Sequence, residues 1–235
     1  MARTSGPGGP SQVPGWVLTG NEVIERLLLL VRIHLFWLAL TLLGLVVLGL
    51  APATAAASDA LLASRESGRV RVLPLMWESY RRQFGRANAR MLPLMAVQAG
   101  AVLMLSIVLS GAVTSSAAMV VLAIVAAASL GWATASLAAI VASARLRRQD
   151  LLVTWRLALL MPGALPGRTI ATLVALSAWS LLSVLIVPLS VLLGAAAALD
   201  LVIGLLGRRI EELLTQIDQA QDGQEQDGQA PSDAA

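Results

Sequence analysis

Apolar residues in this chain form long uninterrupted runs instead of a short periodic pattern. The longest run, Met91–Ala144, has 54 residues and no Asp, Glu, Lys or Arg. A helix needs about 20 apolar residues to cross the hydrocarbon core of a bilayer. The run therefore predicts two membrane spans, Leu92–Leu109 and Ala117–Ala144, joined by the short uncharged connection Ser110–Ser116.

Two further apolar stretches flank this pair. The first, Leu35–Leu50, predicts a membrane helix whose charged beginning lies at the interface. The second, Thr169–Gly207, has 39 residues and one charge, Asp200, and is too long for a single span. Pro188 and Gly194 predict a helix break inside it.

Pro52 is predicted to break the first apolar stretch, because a proline inside a helix removes a backbone hydrogen bond and clashes with the preceding turn. Residues 53–63 then form a short helix that carries Asp59 and is typical of a re-entrant or interfacial segment. If this segment does not cross, the N-terminus lies outside; a crossing or a deep dip allows it inside. The pattern as a whole predicts an all-α, polytopic transmembrane helical bundle of about five spans.

Segment 64–90 holds seven Arg and two Glu, an excess of positive charge that marks cytoplasmic loops. Pro74 is predicted to start an amphipathic helix at the membrane surface; the alternative is a helix packed on the bundle. Its aromatic and basic side chains are Trp77, Tyr80, Phe84, Arg81, Arg82 and Arg86. A second basic cluster, Arg145–Arg148, precedes another short amphipathic helix, Leu151–Leu160.

Composition agrees with a membrane protein, since 57% of the residues are hydrophobic and 13% are charged, against about 45–50% and 25% in soluble domains. Residues 1–18 are predicted to be a disordered N-terminal tail, 19–209 the transmembrane domain, and 210–235 an acidic, mostly disordered tail. All 17 basic residues are Arg. Anionic lipid and membrane orientation explain this basic excess, so we expect no nucleic-acid partner.

Chemistry that depends on thiols or histidine clusters is excluded by composition. The chain has no Cys and one His, which rules out disulfides, thiolate metal sites and cysteine nucleophiles. His34 is therefore expected to be a packed polar residue. Glycines lack the strand–turn–helix context of a phosphate-binding loop. We expect no enzyme activity, no cofactor and no metal site.

The acids deepest in the apolar segments are Asp59 and Asp200. A charge at the bilayer centre costs at least ~2.5–3.5 kcal/mol, so such residues are candidates for a functional role. The alternative is that both lie at the interface with an Arg partner: Asp59 beside the cluster Arg65–Arg71, and Asp200 two turns before Arg208.

A stripe of small residues recurs every fourth position along the helix predicted over residues 117–144. Small side chains at this spacing let two helices approach closely in lipid, which predicts a packing seam or a dimer interface. The alternative is chance in an Ala-rich segment. The stripe consists of Ala123, Ala127, Gly131, Ala135, Ala139 and Ser143.

Two short motifs carry a family resemblance. Gly-Leu-Ala-Pro-Ala-Thr-Ala-Ala at 49–56 and Trp-x-x-Tyr-Arg-Arg-Gln-Phe-Gly-Arg-Ala-Asn at 77–88 resemble the YesL-like family of bacterial integral membrane proteins. The resemblance covers about residues 20–207 and implies a multi-pass protein of the bacterial plasma membrane. The family has no settled activity, and the resemblance implies an accessory role in carbohydrate uptake. Asp59 and the acidic tail depart from the family pattern.

The expected function is therefore that of a non-enzymatic membrane protein. Its partners are the lipid bilayer and either a transporter complex or a second copy of itself. The alternative is a small transporter or channel component that uses Asp59 and Asp200. The predicted breaks at Pro52 and Pro188 favour that alternative, because broken helices line transporter cavities.

Overall fold

The structure, a computed structural model, describes residues 15–68, 70–112 and 114–228. Within these ranges the chain folds into eight helices and no strand. Of the predicted N-terminal tail, residues 1–14 lie outside the described residues. The helices are α1 (Gly15–Leu43), α2 (Val47–Ser67), α3 (Val72–Leu109), α4 (Ser116–Ala142), α5 (Ala144–Arg148), α6 (Leu151–Ala164), α7 (Pro166–Leu185) and α8 (Val187–Gly228).

Six helices in the described part of the chain are long and apolar enough to cross a membrane: α1, α2, α3, α4, α7 and α8. This establishes an all-helical, membrane-embedded protein. The prediction of about five spans treated residues 53–63, just after Pro52, as a short helix and not as a span. In the structure this segment belongs to α2, a continuous helix of 21 residues that includes Pro52.

The break after α1 lies at Gly44–Val46 and not at Pro52. Leu45 and Val46 take the positive backbone angles φ 59° and 63°, which reverse the chain. Pro52 lies buried inside α2. The carbonyl of Leu48 would accept the hydrogen bond that Pro52 cannot donate. It accepts one from Asn88 Nδ2 on α3 instead, at 3.0 Å, so the helix continues through the proline.

The α1–α2 hairpin is tight because two glycines meet at its apex. A Cβ atom built on Gly44 would lie 2.3 Å from Gly49 Cα, and one built on Gly49 would lie 2.3 Å from the carbonyl oxygen of Thr41. Further along, Trp37 Nε1 donates to Thr54 Oγ1 at 3.1 Å. The two helices therefore pack closely along their length.

Helix α2 lies at the centre of the bundle. Its span is 67% buried inside the chain, against 28% or less for the other five candidate spans. Its alanines, from Ala51 to Ala60, are fully buried, and their small side chains let α1, α3 and α8 pack around it. A helix with so little lipid-facing surface can carry a polar residue such as Asp59 against protein.

The surface helix predicted at residues 74–90 and the span predicted at 92–109 form one helix, α3, of 38 residues. Its first half packs on α2, and Met76 and Tyr80 are buried there. This first half corresponds to the alternative of a helix packed on the bundle, while Trp77 stays 43% exposed.

The second predicted break lies at Ile186, between α7 and α8 and two residues before Pro188. Gly194 lies inside α8. This helix continues to Gly228, and the boundary predicted at residue 209 falls within it. Glu211 accepts a hydrogen bond from Ser143 Oγ at 2.5 Å, and Asp218 pairs with Arg145. These contacts hold the extension of α8 against the end of α4 and against α5.

Replacing Gly49 by alanine is expected to destabilise the chain by about 1–3 kcal/mol, because the added methyl group overpacks the hairpin apex. The matched control is Gly100→Ala on α3, where a Cβ atom meets nothing within 4 Å and alanine favours the helix. Unfolding of the two variants in detergent measures the difference. Equal stability of both would contradict the packing described here.

Candidate functional site

The carboxylate of Asp59 joins three helices. Its Oδ2 accepts hydrogen bonds from Ser79 Oγ at 2.6 Å and from Gln83 Nε2 at 2.7 Å, both on α3. Its Oδ1 accepts from Arg147 Nη2 on α5 at 2.5 Å. A carboxylate removed from water needs such donors to offset the loss of hydration. Asp59 is thus fully engaged by protein groups.

Arg147 extends this network to the end of α4. Its side chain is 5% exposed, and its Nη1 donates to the carbonyl oxygens of Ile140 at 3.0 Å and Val141 at 2.6 Å. The last carbonyls of a helix have no partner within the helix, and a cation there also interacts well with the helix dipole. The Asp59–Arg147 pair therefore connects α2, α3, α4 and α5.

Arg90 on α3 is the second buried arginine of this region, at 8% exposure. It donates to the carbonyl oxygens of Arg147 and of Gln149, the latter at 2.5 Å. Within the described residues no acid lies at ion-pair distance from Arg90. Two carbonyl oxygens accept from its guanidinium group, and the carboxylate of Asp150 interacts with its charge from beyond ion-pair distance.

A cavity of about 550 Å³ opens between α2, α3 and α5 beside these groups. Five arginines and two acids contribute to its wall, a net charge of +3. The charged lining residues are Asp59, Glu66, Arg82, Arg86, Arg90, Arg147 and Arg148. We call this space the arginine cavity; it combines a charge surplus with room for a small molecule.

Asp200 on α8 forms a second clamp. Its Oδ1 accepts from Arg26 on α1 and from Arg65 Nη2 on α2, the latter at 2.8 Å. Arg65 also donates to the main-chain oxygen of Asp200 at 2.9 Å, and Arg26 Nη1 donates to Ser64 Oγ at 3.2 Å. This cluster ties α1, α2 and α8 together.

Both acids thus pair with arginine, but neither pairs with the arginines expected from nearness in sequence. Arg65, expected beside Asp59, pairs with Asp200 instead. Asp59 pairs with an arginine 88 positions away, and Asp200 with partners 174 and 135 positions away. Arg147 and Arg90 carried no signal in the sequence beyond the positive charge of a cytoplasmic loop. Which arginine pairs with which acid is therefore determined by which helices pack together, and not by distance along the sequence.

The small-residue stripe of α4 divides into two halves. Ala135, Ala139 and Ser143 are buried within the chain, whereas Ala123 is half-buried and Ala127 is exposed. A Cβ atom built on Gly131, between the halves, would lie 3.8 Å from Leu173 on α7.

The aromatic side chains on the first half of α3 stack on one another. Trp77 and Tyr80 are parallel with ring centroids 6.3 Å apart, and Phe84 meets Tyr80 edge-on at 5.5 Å. The guanidinium carbon of Arg81 lies 5.9 Å from the centre of the Trp77 ring, while Arg82 and Arg86 line the arginine cavity. The structure therefore separates this group into an aromatic stack and a cavity wall.

His34 is buried at 3% exposure on α1. Its Nδ1 accepts a hydrogen bond from the backbone N–H of Ala195 on α8 at 3.3 Å, and its ring stacks on Trp37 with centroids 5.7 Å apart. These contacts give it a packing role between α1 and α8.

Residues 30–107 match the family described as Protein of unknown function, DUF624. The match covers the second half of α1, all of α2 and nearly all of α3. It includes both motifs that resemble the YesL-like family and is consistent with that resemblance. No curated protein and no solved structure matches the chain. The helices and the match together indicate a membrane protein that shares residues 30–107 with a family of unknown function.

The matched stretch contains one side of the arginine cavity. Asp59, Ser79, Gln83 and Arg90 lie within residues 30–107, whereas Arg147 lies outside. The site as described is therefore completed by α5, which the family match does not reach.

Substituting Asp59 by asparagine is expected to destabilise the chain by about 3–5 kcal/mol, because the variant leaves the buried Arg147 without a counter-charge. The matched control is Glu78→Gln, which removes an exposed pair with Arg82 at 3.8 Å and should change little. Unfolding in detergent measures both.

The double variant Asp59→Asn/Arg147→Met removes both charges of the pair. It should be more stable than Asp59→Asn alone, since no orphaned buried charge remains. Additive losses in the double variant would show that the two residues do not act as a pair.

Proposed function

We propose that the chain is a non-enzymatic integral membrane protein that acts by holding a helix of another membrane protein against α4. One observation carries the proposal: only half of the small-residue stripe on α4 is used within the chain. Small residues at every fourth position let two helices come close enough for extensive van der Waals contact in lipid. The unused half offers that geometry to a partner.

The surface around the unused half is apolar and continuous. Val120, Val121 and Ile124 on the outer part of α4 are 53%, 59% and 63% exposed, and they flank the small side chains of Ala123 and Ala127. A second helix could pack its larger side chains onto this groove, much as the buried part of α4 is packed by the chain's own helices.

The transporter alternative is less favoured by the geometry of the two acids. A carboxylate that carries an ion or a substrate across a membrane must exchange its partners. Asp59 accepts from three side chains and Asp200 from two arginines. Both arrangements support a role in joining helices.

The resemblance to the YesL-like family suggests the class of partner. It implies a carbohydrate uptake complex in the plasma membrane of a bacterium, for which this chain would be an accessory subunit. Self-association through the same face of α4 is the competing outcome.

Ala127→Leu is expected to lower the yield of a crosslinked complex in native membranes without changing the stability of the chain, because it fills the groove on the unused half. The comparison variant Ala139→Leu adds the same side chain where Ala139 is 2% exposed and should destabilise the fold by about 1–3 kcal/mol. Crosslinking of the tagged chain followed by mass analysis gives the readout. A product of twice the chain mass, or one unaffected by Ala127→Leu, would contradict the accessory role.

We also propose that α1 and α2 enter and leave the bilayer from the cytoplasmic side, with the apex of their hairpin in the hydrocarbon. The apex side chains are large, apolar and exposed, with Leu45 at 81%. The backbone N–H groups of residues 44–47 all donate within the hairpin, so these donors need no water as partners. This topology puts the N-terminus in the cytoplasm, with α3, α4, α7 and α8 as the crossing helices.

A cysteine at position 45 tests this topology, because the chain has no Cys of its own. Leu45→Cys should resist a membrane-impermeant maleimide in intact and in opened cells, and should react after denaturation, because lipid excludes the reagent. Ser110→Cys, in the polar turn after α3, should react in intact cells. Labelling of residue 45 in intact cells would place the apex in external water instead.

A further inference from the structure

The arginine cavity has a positive surplus that the neighbouring cavity lacks. The neighbouring cavity, lined by α2, α5, α8 and the end of α4, has four arginines and three glutamates in its wall, so its charges nearly balance. In the arginine cavity one of the two acids, Asp59, is already occupied by Arg147. The remaining acid, Glu66, faces four further arginines.

Part of this surplus is removed from water. Arg90 and Arg147 are each more than nine-tenths buried, and the Nε–H group of each has no hydrogen-bond partner. Arg147 is paired with Asp59, whereas Arg90 forms no ion pair among the described residues. A buried charge that loses hydration without gaining a counter-ion is strongly destabilising. An anion in the cavity would offset this cost.

Two further arginines of the cavity wall are placed to contact such an anion. Arg86 on α3 and Arg148 on α5 line the cavity from opposite elements and are exposed. Neither forms an ion pair with an acid among the described residues. They can therefore close on a ligand without breaking an existing pair.

We propose that the arginine cavity binds the phosphoryl group of an anionic ligand. The planar guanidinium group donates two parallel hydrogen bonds to phosphate oxygens, which makes arginine the side chain of choice for this group. A volume of about 550 Å³ lies within the range of about 300–1,000 Å³ typical of small-molecule sites. Apolar wall residues, Leu62, Leu75 and Ala144, leave room for an uncharged portion of the ligand.

The phosphoryl group can belong to a phospholipid headgroup or to a soluble phosphate compound. Both present phosphoryl oxygens that accept two parallel hydrogen bonds from one guanidinium group, so the arginines would contact either source in the same way. The experiment therefore has two arms, one with inorganic phosphate and one with a short-chain phosphatidylglycerol, compared with phosphatidylcholine of the same chain length.

The full chain is purified in detergent, and its thermal unfolding is followed as each probe is titrated at constant ionic strength. A ligand that binds only the folded state raises the unfolding temperature in a saturable way. Arg86→Gln and Arg148→Gln should each weaken the apparent affinity by about tenfold, the effect of losing one charge-assisted hydrogen bond. Arg156→Gln, an exposed arginine of α6 outside the cavity, is the matched control and should bind as the unmodified chain does.

Glu66→Gln provides a test of opposite sign. It removes the acid that competes for the cavity arginines, so binding should become tighter. If these side chains only stabilised the fold, ligand affinity would not rise in Glu66→Gln and fall in Arg86→Gln and Arg148→Gln. The unfolding temperatures of the variants without ligand verify that each one is folded.

Two results support the proposal and distinguish the sources. A cavity-dependent response to phosphate indicates a soluble phosphate compound, while a cavity-dependent response to phosphatidylglycerol alone indicates a lipid headgroup. The proposal is overturned if neither probe gives a saturable response, or if Arg156→Gln loses as much affinity as the cavity variants. In that case the arginines act only as a general positive surface.

Discussion

The carboxylate of Asp59, four-fifths of whose side chain is removed from solvent, is the constraint on which the rest of the bundle depends. A charge placed inside protein or lipid is stable only if hydrogen-bond donors and a counter-charge are held around it. Here those groups come from α3 and α5, and the counter-charge Arg147 also holds the last carbonyls of α4. One polar cluster near the middle of α2 thus connects α2, α3, α4 and α5, in addition to the apolar contacts between these helices.

The excess of arginines over acids leaves several arginines in the described part of the bundle without an acidic partner at ion-pair distance. Asp200 uses two arginines to tie α8 to the α1–α2 hairpin, and Asp59 uses one. Among the described residues, Arg86, Arg90 and Arg148 of the arginine cavity form no ion pair with an acid. Basic residues that orient a membrane protein need only lie on one side of the bilayer. The burial of Arg90 goes beyond that requirement, and it distinguishes the arginine cavity from an ordinary basic loop.

In the hairpin of α1 and α2, a tertiary contact overrides the local tendency of proline to break a helix. Proline is predicted to break a helix because it leaves the carbonyl four residues earlier without a donor. Asn88 supplies that donor to the carbonyl of Leu48 from another helix, so the chain stays helical through Pro52. The reversal moved to Gly44–Val46, where two glycines allow the backbones to touch. No property of the apolar run itself marked that position.

The amino-acid sequence by itself determined the fold class and the extent of α4, because hydrocarbon thickness imposes a minimum apolar run that is visible residue by residue. It also pointed to Asp59, Asp200 and the stripe on α4, since charges and small residues stand out in such runs. Which arginine meets which acid, which half of the stripe is covered, and the cavity at Arg90 were decided by the tertiary structure. These depend on contacts between helices many positions apart, whose relative rotation and depth follow from packing against several neighbours at once.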